Sequence, residues 1–104
     1  MAKAFTKNNF QQEVLESKIP VMVDFWASWC GPCRMLGPVI DAMAETAEQN
    51  GYKIGKVNVD EEEELAARYN IMTIPTVMVF QNGRPVKQVS GVRPRAELEA
   101  MVLG

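Results

Sequence analysis

Residues 21–26 narrow the choice of fold more than any other stretch of this chain. The run Val-Met-Val-Asp-Phe-Trp is apolar at nearly every position, so a strand built from it needs cover on both faces. Pro20 breaks the chain before it, and apolar residues recur at helical spacing from Met35 to Ala47 after it. A doubly covered strand followed by a helix predicts a layered α/β fold with this strand at the centre of the sheet.

The only two cysteines of the chain, Cys30 and Cys33, lie between that strand and that helix. Three explanations compete for the pair: redox exchange, a structural crosslink, and one half of a shared metal site. A bridge between residues three apart constrains almost no chain entropy, and a C-x-x-C in an α/β pattern is typical of a redox motif. With no histidine and two cysteines, a four-ligand zinc site of nitrogen and sulfur is excluded, and we expect no metal.

The predicted helix start suits thiol chemistry. The thiolate is the attacking form, and unpaired N–H groups at a helix N-terminus stabilise an anion at Cys30. Cys33 lies one turn further on, close enough to attack a mixed disulfide held on Cys30. Gly31 leaves room for another backbone, and Pro32 suits a first helical turn because its missing N–H would be free there anyway.

The remaining pattern predicts four more strands and three more helices. Asn8, with Gln11 three residues later, is expected to cap the first helix, and Asp60 with Glu63 a short helix. Asn82-Gly83 between two apolar runs predicts a hairpin. The expected strands are 4–6, 21–26, 52–59, 76–80 and 85–89, and the expected helices are 8–16, 35–47, 60–69 and one beginning at Pro94. The order βαβαβαββα predicts a mixed sheet with helices on both faces.

Charge and hydropathy exclude several classes of function. Eleven basic and 13 acidic residues give a formal charge of −2, which provides no footprint for nucleic acid or an anionic membrane. The acidic run Glu61–Glu64 is expected to be a solvated helix start rather than a partner site. No segment reads as a signal peptide or reaches membrane-spanning length, so we expect a cytoplasmic protein without membrane partners.

The stretch Phe25-Trp26-Ala27-x-Trp29-Cys30-Gly31-Pro32-Cys33 resembles the active-site signature of the thioredoxin family, in its bacterial type. The resemblance extends in order along the chain, through 56–60, 74–76 and 82–83. It implies the thioredoxin fold, a central mixed five-stranded sheet flanked by four helices, as a single domain over residues 1–104. It also implies a protein-disulfide reductase that acts through the Cys30–Cys33 redox disulfide and needs no bound cofactor.

The resemblance gives roles to three residues that the pattern alone leaves open. Asp24 is either a surface residue of an edge strand or a buried functional acid, and it matches the family's buried acid that manages the proton of Cys33. We therefore expect its pKa to be raised. Lys56 is otherwise a solvent-facing strand lysine, but it matches a lysine beside that acid. Pro75 is otherwise a strand-opening residue, but it matches a cis proline beside the cysteines.

The family match also predicts an apolar surface around Cys30, which we call the docking surface. The backbone of Thr73 and Ile74 is expected to hydrogen-bond an extended substrate segment. The docking surface consists of Trp29, Gly31, Pro32, Ile74, Pro75, Gly91 and Val92. The expected partners are disulfide-containing target proteins and a thioredoxin reductase that draws on NADPH, and the chain itself is expected to be a monomer.

Two other functions remain open at this level. An oxidase or isomerase of the same fold would depend on the residues between the cysteines, where relatives that oxidise usually carry histidine; Gly31-Pro32 argues against it. A non-catalytic interaction module would keep its partner function after both cysteines were replaced by serine.

Overall fold

Five strands pair into one mixed sheet in the computed structural model, which describes residues 1–104. The strands are β1 (Lys3–Ala4), β2 (Val21–Trp26), β3 (Lys53–Asn58), β4 (Thr76–Gln81) and β5 (Arg84–Ser90). Their order across the sheet is β1-β3-β2-β4-β5. β3 runs parallel to both β1 and β2, whereas β4 is antiparallel to both β2 and β5. The predicted mixed five-stranded sheet with residues 21–26 at its centre is confirmed.

Four helices flank the sheet, also as predicted. They are α1 (Gln11–Leu15), α2 (Gly31–Ala44), α3 (Glu63–Arg68) and α4 (Arg95–Leu103), with a 3₁₀ turn at Glu48–Asn50. α1 is wound as a π-helix, in which the N–H of Glu16 donates to the carbonyl of Gln11 at 2.9 Å. α2 begins four residues earlier than the apolar pattern indicates and continues through Pro38. None of the helices is both long and apolar enough to cross a membrane.

Alternation along β2 divides the core between the two faces of the sheet. Val21, Val23 and Phe25 pack with residues of α1 and α3, whereas Met22 packs with residues of α2 and α4. The first face also buries Phe5, Phe10, Val14, Val57, Leu65, Met78 and Phe80, and the second buries Leu36, Ile40, Met43, Ile54, Val77, Val79, Leu98 and Val102. The same alternation turns Asp24 toward α2.

The cap predicted for the first helix was wrong. Thr6, rather than Asn8 with Gln11, makes the side-chain hydrogen bonds there. The N–H of Thr6 donates to Asn9 Oδ1 at 2.8 Å, and the N–H of Asn8 donates to Thr6 Oγ1 at 3.2 Å. Thr6 therefore bonds to two different residues, two positions before the predicted cap, and no capping box forms.

Two further local predictions also failed. α3 begins after Glu62 without a side-chain cap, and the N–H groups of Asp60 and Glu61 both donate to Asn58 Oδ1 instead. Met35, the first residue of the apolar pattern that predicts the buried side of this helix, is 68% exposed. The buried side of α2 is set by Leu36, Ile40 and Met43, and Met35 lies outside that stripe.

The predicted hairpin is confirmed. Asn82 and Gly83 have φ angles of 53° and 79°, the left-handed pair that a tight turn between β4 and β5 requires. Gly83 also packs closely against α1, because a Cβ built on it would lie 2.9 Å from the carbonyl oxygen of Leu15. Gly51 has a similar φ of 88° but open space around it.

Gly83→Ala should therefore destabilise the protein more than Gly51→Ala. Both variants force alanine into a left-handed conformation, at about 1–2 kcal/mol. Only Gly83→Ala adds a clash with fixed backbone, which should cost about 1–3 kcal/mol more. Urea unfolding of the two variants and the parent measures the difference. Equal losses would show that the contact with Leu15 relaxes freely.

Candidate redox-active site

Cys30 and Cys33 lie where β2 gives way to α2, and they are bonded to each other as a disulfide. Cys30 is the N-cap of α2, with an extended backbone (φ −92°, ψ 114°), and its Sγ accepts a hydrogen bond from the N–H of Cys33 at 3.2 Å. Pro32 stands in the first turn, as its fixed φ favours. When the disulfide is reduced, this N–H and the helix dipole stabilise negative charge on Cys30.

The two sulfurs differ in how far they are enclosed. Ala27, Cys30 and Cys33 form a small buried cluster against Trp26 and Ile74. Cys30 retains 6% of its surface and Cys33 2%, so Cys30 is the outer member of the pair. The Cα atoms of Cys30 and Cys33 lie 5.3 Å apart.

The loop before β4 closes over the cysteines from the opposite side. The Ile74–Pro75 peptide bond is cis, and the carbonyl oxygen of Ile74 lies 3.9 Å from Cys30 Sγ. The carbonyl of Pro75 accepts a hydrogen bond from the N–H of Gly91 at 2.9 Å, which brings Gly91 and Val92 to the same place. Cys30, Ile74 and Gly91 therefore lie close together, although the first and last of them are 61 positions apart in the chain.

The backbone of Ile74 has no hydrogen bond to any other backbone group. The neighbouring carbonyl of Thr73 accepts one hydrogen bond, from Thr76 Oγ1 at 2.6 Å. Met72, which the sequence analysis did not single out, is 87% exposed directly before this segment. The backbone of Ile74 is therefore free to pair with an extended peptide.

Trp29 is exposed yet fixed in place. Its indole Nε1–H donates to Asp60 Oδ2 at 2.8 Å. The sequence predicts Asp60 as a helix cap and gives no sign of this bond, because no periodicity relates two residues 31 positions apart. The bond orients an aromatic face beside the cysteines without burying it.

Asp24 is the only buried acid in the core. It is 1% exposed, and neither carboxyl oxygen has a hydrogen-bond partner. Asp24 borders a cavity of about 210 Å³ that Cys33 and Lys56 also line. Burial raises the pKa of Asp24 to about 7, against a lowering by the Lys56 ammonium and a further rise from the Asp41 carboxylate.

Lys56 is not a solvent-facing lysine. It stands opposite Asp24 in the β2–β3 register, and its side chain is 19% exposed. Its Nζ lies 3.2 Å from Asp41 Oδ1 and 5.6 Å from the centroid of the Trp26 ring. Asp41 was missed by the sequence analysis, because its partner lies on another element and its own position in the helix is an ordinary polar one.

Known proteins resemble the chain along almost its whole length. The family model for thioredoxin matches residues 1–103. A thioredoxin of Alicyclobacillus acidocaldarius subsp. acidocaldarius is 50% identical over 97 residues, which cover 93% of this chain and 90% of that protein. Thioredoxin 1 of Synechococcus elongatus is 50% identical over 98 residues, covering 94% and 91%.

A solved structure gives the same result. The thioredoxin of Malassezia sympodialis (Mala s 13) superimposes with a TM-score of 0.86 at 34% sequence identity. The match covers 98% of this chain and 88% of that one. At this identity and coverage the likeness extends to the family as well as to the fold.

Replacing Asp24 by asparagine should stabilise the protein increasingly as pH rises. The folded protein holds the Asp24 proton up to about pH 7, whereas the unfolded chain releases it near pH 4. The parent therefore loses stability between these values, and Asp24→Asn does not. Three pKa units correspond to roughly 4 kcal/mol at pH 8, less whatever the buried amide itself costs.

Urea unfolding at pH 4, 6 and 8, with the disulfide intact, measures this difference. Glu45→Gln removes an exposed carboxylate and serves as the control, with an expected difference that does not change with pH. A gap between Asp24→Asn and the parent that stays constant from pH 4 to 8 would contradict the raised pKa.

Proposed function

This chain belongs to the thioredoxin family, and from that premise we propose how its own residues carry out protein-disulfide reduction by dithiol–disulfide exchange. The observation that carries the proposal is the arrangement at the end of β2. Cys30 lies at a helix N-terminus with Cys33 one turn behind it. The buried carboxyl of Asp24, which has no hydrogen-bond partner, lines the same cavity as Cys33.

The reaction begins with the reduced pair. The thiolate of Cys30 attacks one sulfur of the target disulfide; a Cys30–target bond forms, the target S–S bond breaks, and the released thiolate takes a proton from water. Cys33 then gives its proton to the Asp24 carboxylate, directly or through water, and attacks Sγ of Cys30. The Cys30–Cys33 bond forms, the second target thiolate leaves, and two electrons have passed to the target.

Asp24 suits the role of proton acceptor for a physical reason. A group whose pKa is near the working pH both accepts and returns a proton readily, and burial brings Asp24 to about 7. The cavity that Asp24 shares with Cys33 gives room for the transfer. Lys56, its neighbour across the strands, compensates part of the charge once Asp24 ionises.

The docking surface supplies substrate binding in this proposal. Ile74, with a backbone free of other pairing, offers a short edge to an extended segment, and the cis Pro75 places that edge beside Cys30. Trp29, held by Asp60, and the exposed Met72 widen the apolar area. A surface of this kind favours unfolded or flexible targets with accessible disulfides and reads little of their sequence.

Thioredoxins in general act on disulfide-containing proteins and are reduced again by thioredoxin reductase. We propose that the reductase of this chain draws on NADPH, and that the chain works in the cytoplasm as a monomer. The cytoplasm keeps a lone cysteine pair reduced. We further propose that residues 1–104 form a single domain, because both core clusters pack on one sheet. The proposed exchange between sulfur atoms requires no bound cofactor.

Trapping of a mixed disulfide distinguishes the roles of Cys30 and Cys33. Cys33→Ser should accumulate a mixed disulfide with a disulfide-bonded peptide, because Cys30 attacks and nothing resolves the adduct. Cys30→Ser should accumulate far less, because Cys33 is enclosed behind it. Mass spectrometry of the quenched reaction gives the two yields. Equal yields from both variants would contradict the assigned order of attack.

Asp24→Asn should slow the resolution step and leave the first attack unchanged. Loss of a positioned base should reduce the release of the second peptide thiol on the order of a hundredfold at pH 7. The deficit should shrink as pH rises, because a thiol then ionises without a base. Stopped-flow measurement of thiol release gives the resolution rate.

Two controls accompany this measurement. Glu45→Gln should behave as the parent does, and in a Cys33→Ser background Asp24→Asn should leave the attack by Cys30 unchanged. An unaltered resolution rate at every pH would remove Asp24 from the mechanism.

A further inference from the structure

Two carboxyl groups face one ammonium group beneath the disulfide. Asp24 and Lys56 are partners in the parallel register of β2 and β3, so their side chains leave the sheet on the same face, toward α2. The ammonium of Lys56 nevertheless pairs with Asp41 of α2, at 3.2 Å, and both oxygens of Asp24 are without a partner.

Asp41 is well placed to hold this ammonium. Its Oδ1 also accepts a hydrogen bond from the backbone N–H of Ala2 at 3.0 Å. Partial burial raises the pKa of Asp41, but the bond from Ala2, the Lys56 ammonium and the chain's N-terminal amino group together bring it below its ordinary value. Asp41 therefore stays ionised at neutral pH and keeps an opposite charge fixed on its own side of the cavity.

Lys56 crosses α2 beside Gly37. A Cβ built on Gly37 would lie 3.6 Å from Lys56 Nζ, an ordinary van der Waals distance, so the ammonium lies close against α2 at this point. The Trp26 ring, 5.6 Å from the same nitrogen, contributes a cation–π contact on the other side. Lys56 is thus held by the Asp41 carboxylate and the Trp26 ring, and not by Asp24.

Few other charged groups face Asp24. From α2, Cys33, Arg34 and Asp41 line the cavity; from β3, only Lys56 does. The register partner of Asp24 in β4 is Val77, which is apolar. The two charges that act on Asp24 are Lys56, which favours its ionised form, and Asp41, which opposes it.

We propose that Asp41 is a positioning residue: it holds the Lys56 ammonium away from Asp24, so that the Asp24 carboxyl keeps its proton to a higher pH than it would beside a paired ammonium. Without Asp41, Lys56 pairs with Asp24 and fixes it as a carboxylate, which is a weaker proton acceptor. The consequence for catalysis rests on the proposed role of Asp24 as the base for Cys33, but the effect on the Asp24 proton does not depend on it.

The direct test follows the ¹³C-labelled Asp24 carboxyl by NMR during a pH titration of the oxidised protein, in which neither cysteine titrates. In Asp41→Asn the midpoint should fall by about one pH unit or more, the range for a carboxyl that gains a close cation. The protonated fraction of Asp24 at pH 7 would then drop from about one half to about one tenth. Asp41→Glu should restore most of the parent midpoint.

Matched variants show that the effect passes through Lys56. Glu13→Gln removes the carboxylate of another lysine cluster, which lies 3.1 Å from Lys3 and 3.4 Å from Lys53, and should leave the Asp24 midpoint unmoved. In a Lys56→Met background, Asp41→Asn should shift the midpoint much less than in the parent. Asp41→Ser is the second uncharged variant should Asp41→Asn fold poorly, and it should give the same shift.

An Asp24 midpoint that is unmoved or raised in the folded Asp41 variants would overturn the proposal, as would an equal shift with and without Lys56. Measuring the rate of mixed-disulfide resolution in the same variants tests the proposed catalytic role of Asp24 separately from the positioning role of Asp41. A lowered midpoint without a change in the resolution profile supports the positioning role and contradicts Asp24 as base. An unmoved midpoint with a resolution rate that still requires Asp24 contradicts the positioning role alone.

Discussion

The arrangement of the site depends on one costly feature, a carboxyl group buried in the central strand without a hydrogen-bond partner. An ionised carboxylate in such a place loses its hydration and gains nothing in return, so Asp24 keeps its proton to about pH 7. A cation paired with Asp24 would instead have kept the carboxyl permanently ionised. Instead the one available ammonium is engaged by Asp41, and the carboxyl is left able to change its charge.

The sheet register explains why the other parts of the site meet the cysteines. β2 ends at Trp26, beside the last residue of the parallel strand β3. The antiparallel strand β4 begins at Thr76, opposite Phe25, and Ser90 at the end of β5 pairs with Thr76. The start of α2, the loop before β4 and the loop after β5 therefore all lie at one edge of the sheet, and Cys30, Ile74 and Gly91 meet there.

Local signals could be read from the sequence, and cross-element contacts could not. The bounds of β2 and the Asn82-Gly83 turn follow from a few adjacent residues, and both were predicted. The hydrogen bonds at Thr6 and Asn9 were missed because several polar residues there can serve equally well. Whether Asp24 faces solvent or α2 depends on the strand's place in the sheet, which its pattern left open. Asp41 gave no signal, since its role arises only when α2 packs over β3.

Solvation explains why Lys56 pairs with Asp41 rather than with Asp24, its register partner in the sheet. Pairing with Asp24 would require a fully buried carboxyl to ionise and the ammonium to move further from water, and both steps carry desolvation penalties of several kcal/mol. Asp41 keeps more than a quarter of its side chain exposed and needs no such change. The favoured state therefore has a protonated Asp24 in the interior and an ion pair between Lys56 and Asp41 nearer the surface. Asp24 can accept a proton only when it is ionised, and pairing with Lys56 becomes favourable only in that state.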